Sequence, residues 1–391
     1  MINGKKMKDL RIQHASVLLR GQTLSDQSVI IHEGRIISVS PANAILTPGI
    51  TTIDAGGRLL TPGLSDIQIN GGFGFDFTLS PESIWEVGER LVRFGVTSFL
   101  PTIITAPIAD IERALKVWKT RKPEKYSGAI PMGWHVEGPF LNPEKRGAHR
   151  GEYLRKPDLG LISDWSPKNG VRLVTLAPEL PGAEELIKQL ISNGVVVSMG
   201  HSNATAQQAE LAFNWGAQAG THLFNAMPVL HHREPGLTGE LLTNEAAFAG
   251  IIADGIHVDP RLVKLAFRAK GSDQLILITD AMQALGMRPG IYSLAGREVI
   301  VDFESARLRD GTLAGSILTL PEAVRNMVAF TGCTFNEAIT MVTETPARLL
   351  GISSKGMIAV GQDADLVLWD KNLNVSMVIV SGEIVYNHSE K

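Results

Sequence analysis

Residues 182–224 read "GAEELIKQLISNGVVVSMGHSNATAQQAELAFNWGAQAGTHLF", and the period of apolar residues changes three times within them. "GAEELIKQLISNG" carries its apolar residues at helical spacing, "GVVVSMGH" is a continuous apolar run bounded by glycine, "TAQQAELAFNWG" is helical again, and "AQAGTHLF" is a second short run. Strand and helix in alternation argue for a parallel α/β fold. Both runs finish near a histidine, His201 and His222, and parallel strands present their carboxyl ends on one side of a sheet.

Outward from this stretch the same texture fills residues 62–345. Six more short runs, "SDIQIN", "TSFLPT", "PMGWHVEG", "RLVTLAP", "AGIIADGIH" and "QLILITD", are separated by helical segments such as "PESIWEVGERLVRFG", "PIADIERALKVWKT" and "DPRLVKLAFRAKG". Eight βα units of this size predict a (β/α)8, TIM-like barrel. Residues 1–61 and 346–391 differ: short β-branched runs punctuated by Gly, Asp, Ser and Pro, as in "SVIIHEGRIISVS" and "VSMVIVSGEIVYN", predict one small β-sandwich domain assembled from both termini.

The chain has 391 residues, 44% of them hydrophobic, a formal net charge of -3 and a single cysteine, Cys333. This balance gives no electrostatic reason to expect nucleic acid or an anionic membrane as partner. One cysteine makes no internal disulfide and suits a reducing compartment. "MINGKKMKDLRIQ" has no apolar core of the kind a signal peptide needs, and no window approaches the roughly 18 apolar residues of a membrane span. A cytoplasmic protein is the expectation.

Five strands end in a residue able to bind a metal or move a proton: Glu137, His201, His222, His257 and Asp280. One histidine at a strand end is commonly a hydrogen-bonded structural residue, and Asp280 alone could cap a helix. Five at corresponding ends share no structural explanation, and a barrel brings them to one face. Glu137, His201 and His222 form a His2Glu set that leaves a fourth tetrahedral position for water, whose pKa then falls to roughly 7 and yields a metal-bound hydroxide nucleophile. Asp280, unligated, is the candidate general acid/base. His135 is expected beside Glu137 as a supporting residue, while His231 and His232 lie in a loop without an assigned role. No HExxH, GxSxG, Walker or CxxC motif competes.

These residues resemble the amidohydrolase superfamily and, within it, the N-acetylglucosamine-6-phosphate deacetylases. "LLTPGLSDIQING", "TDA" and "TPARLLGISSKGMIAVGQDADLVLWD" carry the superfamily likeness; "HVEGPFLNPEKRGAHR", "VTLAPE", "GHSNAT", "THLFNAMPVLHHREPGLTG", "GIIADGIHVD" and "DGTLAGSILTL" carry the closer one. The resemblance implies removal of acetate from N-acetyl-D-glucosamine 6-phosphate to give D-glucosamine 6-phosphate. It implies Glu137, His201 and His222 as metal ligands, Asp280 as acid/base, and His149 polarising the acetyl carbonyl. Ala148, Asn225, Ala226 and His257 are implied as substrate contacts, and Leu313, Ala314, Gly315 and Ser316 as a closing loop. Arg233 is implied to reach the phosphate bound by the neighbouring subunit of a homodimer.

Most members of the superfamily that it resembles carry His-x-His at the end of the first strand, where Gln68 and Asn70 stand here, and some of its deacetylases show the same replacement. Amides are poor ligands beside imidazole, so these are vestigial second-metal positions. One divalent ion per subunit is expected, Zn2+ first, with Fe2+, Co2+ and Mn2+ chemically acceptable. The N-acetylgalactosamine 6-phosphate epimer is the alternative substrate. A catalytically inactive assembly protein of the same fold is a further alternative, and the presence of every ligand argues against it.

Overall fold

The first barrel strand grows directly out of the terminal sheet, because Leu59–Pro62 and Leu64–Ile69 are separated by Gly63 alone. The computed structural model describes residues 9–43, 50–120 and 122–388. Residues 1–8, which bear on the question of a leader, lie outside them. Among the described residues no helix is long and apolar enough to cross a membrane.

Eight parallel barrel strands follow in order. They are Leu64–Ile69, Val96–Ile104, Trp134–Glu137, Val171–Leu176, Val196–Met199, Ala219–Gly220, Phe248–Ile251 and Leu275–Leu277, each paired with the next. The ring closes just past the eighth strand, where Asp280 N–H donates to Gln68 O (2.8 Å) and Asn70 N–H to Ala281 O (2.7 Å). Closure therefore falls on the acid/base candidate and the two amides at once.

The sequence sets the helix starts. Thr205 and Gln208 form a reciprocal capping box ahead of Ala206–Asn214, and Asp259 with Pro260 opens Pro260–Gln274. Two units depart from the expected alternation. After the third strand no α-helix forms; residues 138–170 return through short 3-10 turns, because Pro139, Pro143 and Pro157 and the left-handed Gly138 and Gly147 interrupt any helical run. After the eighth strand an antiparallel three-stranded insert, Gly290–Leu294, Arg297–Val301 and Ala306–Arg307, precedes the helix Leu320–Thr331. Asp76 Oδ2 accepts from Ala295 N–H (2.7 Å), and Arg297 donates to Ala148 O (3.0 Å), fastening the insert to the barrel mouth.

The β-domain from both termini is present as an eight-stranded sheet with its own apolar cluster, including Ile12, Val29, Leu60, Leu366 and Ile379. Its seam is Leu59–Pro62 against Leu366–Trp369, antiparallel, with the buried Trp369 indole donating to Thr61 Oγ1 (2.8 Å).

Gly63 is the hinge between sheet and barrel, and a Cβ there would lie 2.2 Å from Thr97 Oγ1 and 2.7 Å from Thr97 Cβ. A β-branched side chain fixed on a buried strand yields little. Gly63→Ala is therefore expected to cost about 1–3 kcal/mol, read as a lower urea midpoint at unchanged slope; an unaltered midpoint would mean the strand can shift.

Candidate metal and substrate site

At the carboxyl ends of the barrel strands lies a cavity of about 320 Å³. On one wall Glu137 Oε1 is 3.2 Å from His201 Nε2 and 3.1 Å from His222 Nε2, and the two nitrogens are 3.1 Å apart. All three side chains are buried. His201 Nδ1 lies 2.7 Å from the carbonyl of Lys145, which can only accept, so Nδ1 carries the proton and the Nε2 lone pair faces inward. Lone pairs converging in a buried site repel unless a cation lies between them. Tetrahedral donors about 2.0–2.1 Å from zinc stand about 3.3 Å apart, so the triangle fits a divalent metal.

Burial works against the Glu137 carboxylate, yet the adjoining His201 and His222 side chains hold it well below the usual carboxylate range. Burial likewise opposes charge on His222, and Glu137 more than offsets it, raising the imidazole above its ordinary value. Among the described residues this is the one group of three ligand types close enough to hold an ion.

Gln68 and Asn70 turn out to serve Asp280. Gln68 Nε2 lies 3.3 Å from Glu137 Oε1 and 3.2 Å from Asp280 Oδ1, and Asn70 Nδ2 donates to the same Asp280 oxygen at 2.8 Å. An amide donor thus stands between two carboxylates that would otherwise repel. Burial, then Glu137, pushes Asp280 up to about 6. Asn70 Oδ1 is buried without a partner.

His149 stands across from the triangle, its Nε2 3.9 Å from Glu137 Oε2, and burial with His201 nearby pushes it down to about 3, so the ring is neutral. His257 lines the cavity and is oriented by Asp254, whose Oδ2 lies 2.6 Å from Nδ1 while Oδ1 accepts the N–H groups of Ile256 and His257. Sequence reasoning missed Asp254; its carboxylate three residues ahead of His257 in "DGIH" is the signal that could have found it.

Ala148, Asn225, Ala226, Leu313 and Gly315 line the cavity. Ala314 instead packs in the apolar cluster with Met282 and Leu294. Ser316 Oγ donates to Thr279 O and its N–H to Asp280 O, so it braces the backbone of Asp280 from behind. His135 does not touch Glu137. It sits deeper in the barrel, 2.7 Å from Thr175 Oγ1, at the head of a hydroxyl chain through Thr221 to Ser198. Arg233 is exposed outside the cavity, its guanidinium 2.9 Å from His232 Nε2.

Three of these residues adopt left-handed backbone conformations just past their strands: His201 (φ 48°), His222 (φ 35°) and Asp280 (φ 49°). Such values are uncommon outside glycine and asparagine and cluster at functional sites.

The profile of the amidohydrolase family matches residues 59–385. N-acetylglucosamine-6-phosphate deacetylase of Bacillus subtilis (strain 168) is 39% identical over 98% of both chains. N-acetylgalactosamine-6-phosphate deacetylase of Escherichia coli O157:H7 is 38% identical over 92% of this chain and 95% of its own. The structure of a mutant N-acetyl-D-glucosamine-6-phosphate deacetylase from Mycobacterium smegmatis, in complex with N-acetyl-D-glucosamine-6-phosphate, superposes with a TM-score of 0.89 at 32% identity, covering 97% of this chain and 100% of the other. Matched by the family profile over most of its length, and by relatives of the same fold over nearly all of it, this chain belongs to the amidohydrolase family and, within it, to the N-acetylglucosamine-6-phosphate deacetylase group.

Proposed function

We propose that this protein removes acetate from N-acetyl-D-glucosamine 6-phosphate, leaving D-glucosamine 6-phosphate, with one divalent ion per chain held by Glu137, His201 and His222. The observation that carries the reading is the placement of Asp280, its carboxyl raised to about 6, one amide away from the ligand carboxylate. A divalent cation supplies Lewis-acid polarisation and a lowered pKa for water. Asp280, ionised at neutral pH with a value near 6, takes a proton from the attacking water and returns it to the departing amine. His149 offers an N–H to the acetyl oxygen as negative charge develops there. His257, held by Asp254, faces the sugar, and Ile104, Ile252 and Leu294 supply apolar walls.

One ion rather than two follows from Gln68 and Asn70, whose amides are poor ligands beside imidazole and are already hydrogen-bonded to Asp280. The galacto epimer is the second reading, favoured by the Escherichia coli relative; comparing turnover of the two 6-phosphates separates them. For the phosphate, Lys145 is the one lysine or arginine lining the cavity among the described residues, and its Nζ is engaged with Met227 O at 3.0 Å. A phosphate dianion calls for a further cation. Arg233 of a second copy is our candidate, because exposed Val229 and Leu230 lie beside it in the same loop and suit a subunit contact. A cytoplasmic setting accords with the buried, unpaired Cys333.

Acetate release from the phosphorylated sugar tests the reading directly, and Asp280→Asn is expected to lower kcat by about 10²–10⁴-fold while retaining metal. Near-normal turnover in that variant would remove Asp280 from the chemistry. Chelator-stripped protein is expected to gain stability on adding Zn2+, about 2.7 kcal/mol at a hundred times Kd, with uptake near one ion per chain; Glu137→Gln should abolish the gain, whereas tight uptake of two ions would contradict the single-site reading. Arg233→Ala should raise KM for the 6-phosphate far more than for the unphosphorylated sugar. Mixing it with Asp280→Asn chains should restore activity, and failure to complement would place the arginine within its own subunit.

A further inference from the structure

We propose that Thr105 is a positioning residue that fixes His149 in the tautomer with its proton on Nε2, directed into the cavity. The inference rests on the reading of His149 as the group that polarises the acetyl carbonyl, and it concerns what makes that polarisation available.

Thr105 follows the second barrel strand, Val96–Ile104, and is buried. Its backbone N–H points at His149 Nδ1 from 3.3 Å, and its hydroxyl oxygen lies 2.8 Å from the same nitrogen. A hydroxyl can donate or accept, so that contact alone leaves the tautomer open. The amide cannot. An N–H aimed at Nδ1 requires a lone pair there, and a proton on Nδ1 would face it head-on. The hydroxyl is then drawn into the donor role as well, since its other acceptor, Glu137 O, is a long 3.4 Å away. Both groups belong to one residue and act on one atom, which leaves Nε2 as the proton-bearing nitrogen of the neutral ring.

The opposite tautomer would turn the Nε2 lone pair toward Glu137 Oε2, 3.9 Å away, and toward the oxygen of any bound acetyl group. Lone pair would meet lone pair, and no charge would be stabilised. The space for the hydroxyl is itself specified: a Cβ on Gly138 would lie 2.2 Å from Thr105 Oγ1. Gly138 follows Glu137 directly, so one turn presents the ligand carboxylate and makes room for the residue that orients His149. The ring is further steadied by its edge contact with His201, with centroids 4.4 Å apart.

The test uses zinc-loaded protein with ¹⁵N-labelled histidine, the His149 signals assigned by their loss in His149→Gln. Wild-type protein is expected to show a proton-bearing Nε2 and a bare Nδ1; the reverse would overturn the proposal without any change to Thr105. Thr105→Val keeps the shape and the amide but removes the hydroxyl. With only the longer 3.3 Å amide contact left on Nδ1, the second tautomer is expected to become populated and kcat to fall about 10–100-fold with KM little changed, and Thr105→Ser to restore both readouts. A valine variant with an unchanged ring signal and unchanged kcat would overturn the proposal that the Thr105 side chain positions His149. If Thr105→Val does not fold, Thr105→Ser and the wild-type ring signal still decide. A bare Nδ1 in a protein that releases no acetate from either 6-phosphate would support the tautomer assignment while sinking the substrate reading.

Discussion

A carboxylate oxygen with two imidazole nitrogens at 3.1 and 3.2 Å, all buried, is an arrangement that proteins do not hold without cause. Glu137, His201 and His222 come from three different strands, and each brings electron density to the same point. Isolated, any one of them would relax away. They are kept together because the strands beneath are locked in a closed ladder and because the residues at two of the strand ends accept left-handed backbone angles that cost on the order of 1–3 kcal/mol each. The fold therefore stores unfavourable energy at one place, and a cation there would release it.

Around that point the barrel interior is unusually polar for a core. Asp66 sits below Gln68 on the same face of the first strand, accepts from Thr279 Oγ1 at 2.6 Å, and is pushed up to about 7 by burial. His135, pushed down to about 4 by burial, heads a chain of three hydroxyls across the fourth, sixth and fifth strands. Further out, Glu179 accepts from Asn142, Ser202 and the N–H of Asn203, tying the strand-end loops that flank His201 to one another. These contacts satisfy one another almost fully, as a buried polar network must. Asn70 Oδ1 and His222 Nδ1, beside the cavity, are exceptions.

Periodicity made the barrel legible, since strand and helix differ in their apolar spacing and the strand ends carry the chemistry. The ligand triangle was readable for the same reason. Less visible were features that depend on three-dimensional neighbours. His135 shares a strand face with Glu137, and alternation alone placed it in the site; two residues along a strand is several ångströms of depth, enough to move it among hydroxyls. The helix expected in the third unit is absent because prolines and left-handed glycines act locally, where a count of units does not look. The three-stranded insert hides in ordinary alternating residues between the eighth strand and its helix. Ala314 and Ser316 belong to a motif that resembles a closing loop, yet one side chain packs in apolar surroundings and the other braces the Asp280 backbone.

The terminal sheet has a consequence for how the chain is made. Strand Leu59–Pro62 pairs on one edge with Leu10–Leu19 and on the other with Leu366–Trp369. During synthesis from the amino end, the first of these neighbours is available at once and the second only after some three hundred further residues, the whole barrel included, have left the ribosome. Until then the edge of Leu59–Pro62 presents open amide and carbonyl groups, the surface on which nascent chains pair wrongly. The strand next in line, Leu64–Ile69, needs Asp280 and Ala281 to complete its own far side. Two unsatisfied edges thus sit one residue apart on the growing polypeptide, at Gly63, and both are resolved late. Assembly of this protein is a race between closing those edges and losing them to another chain.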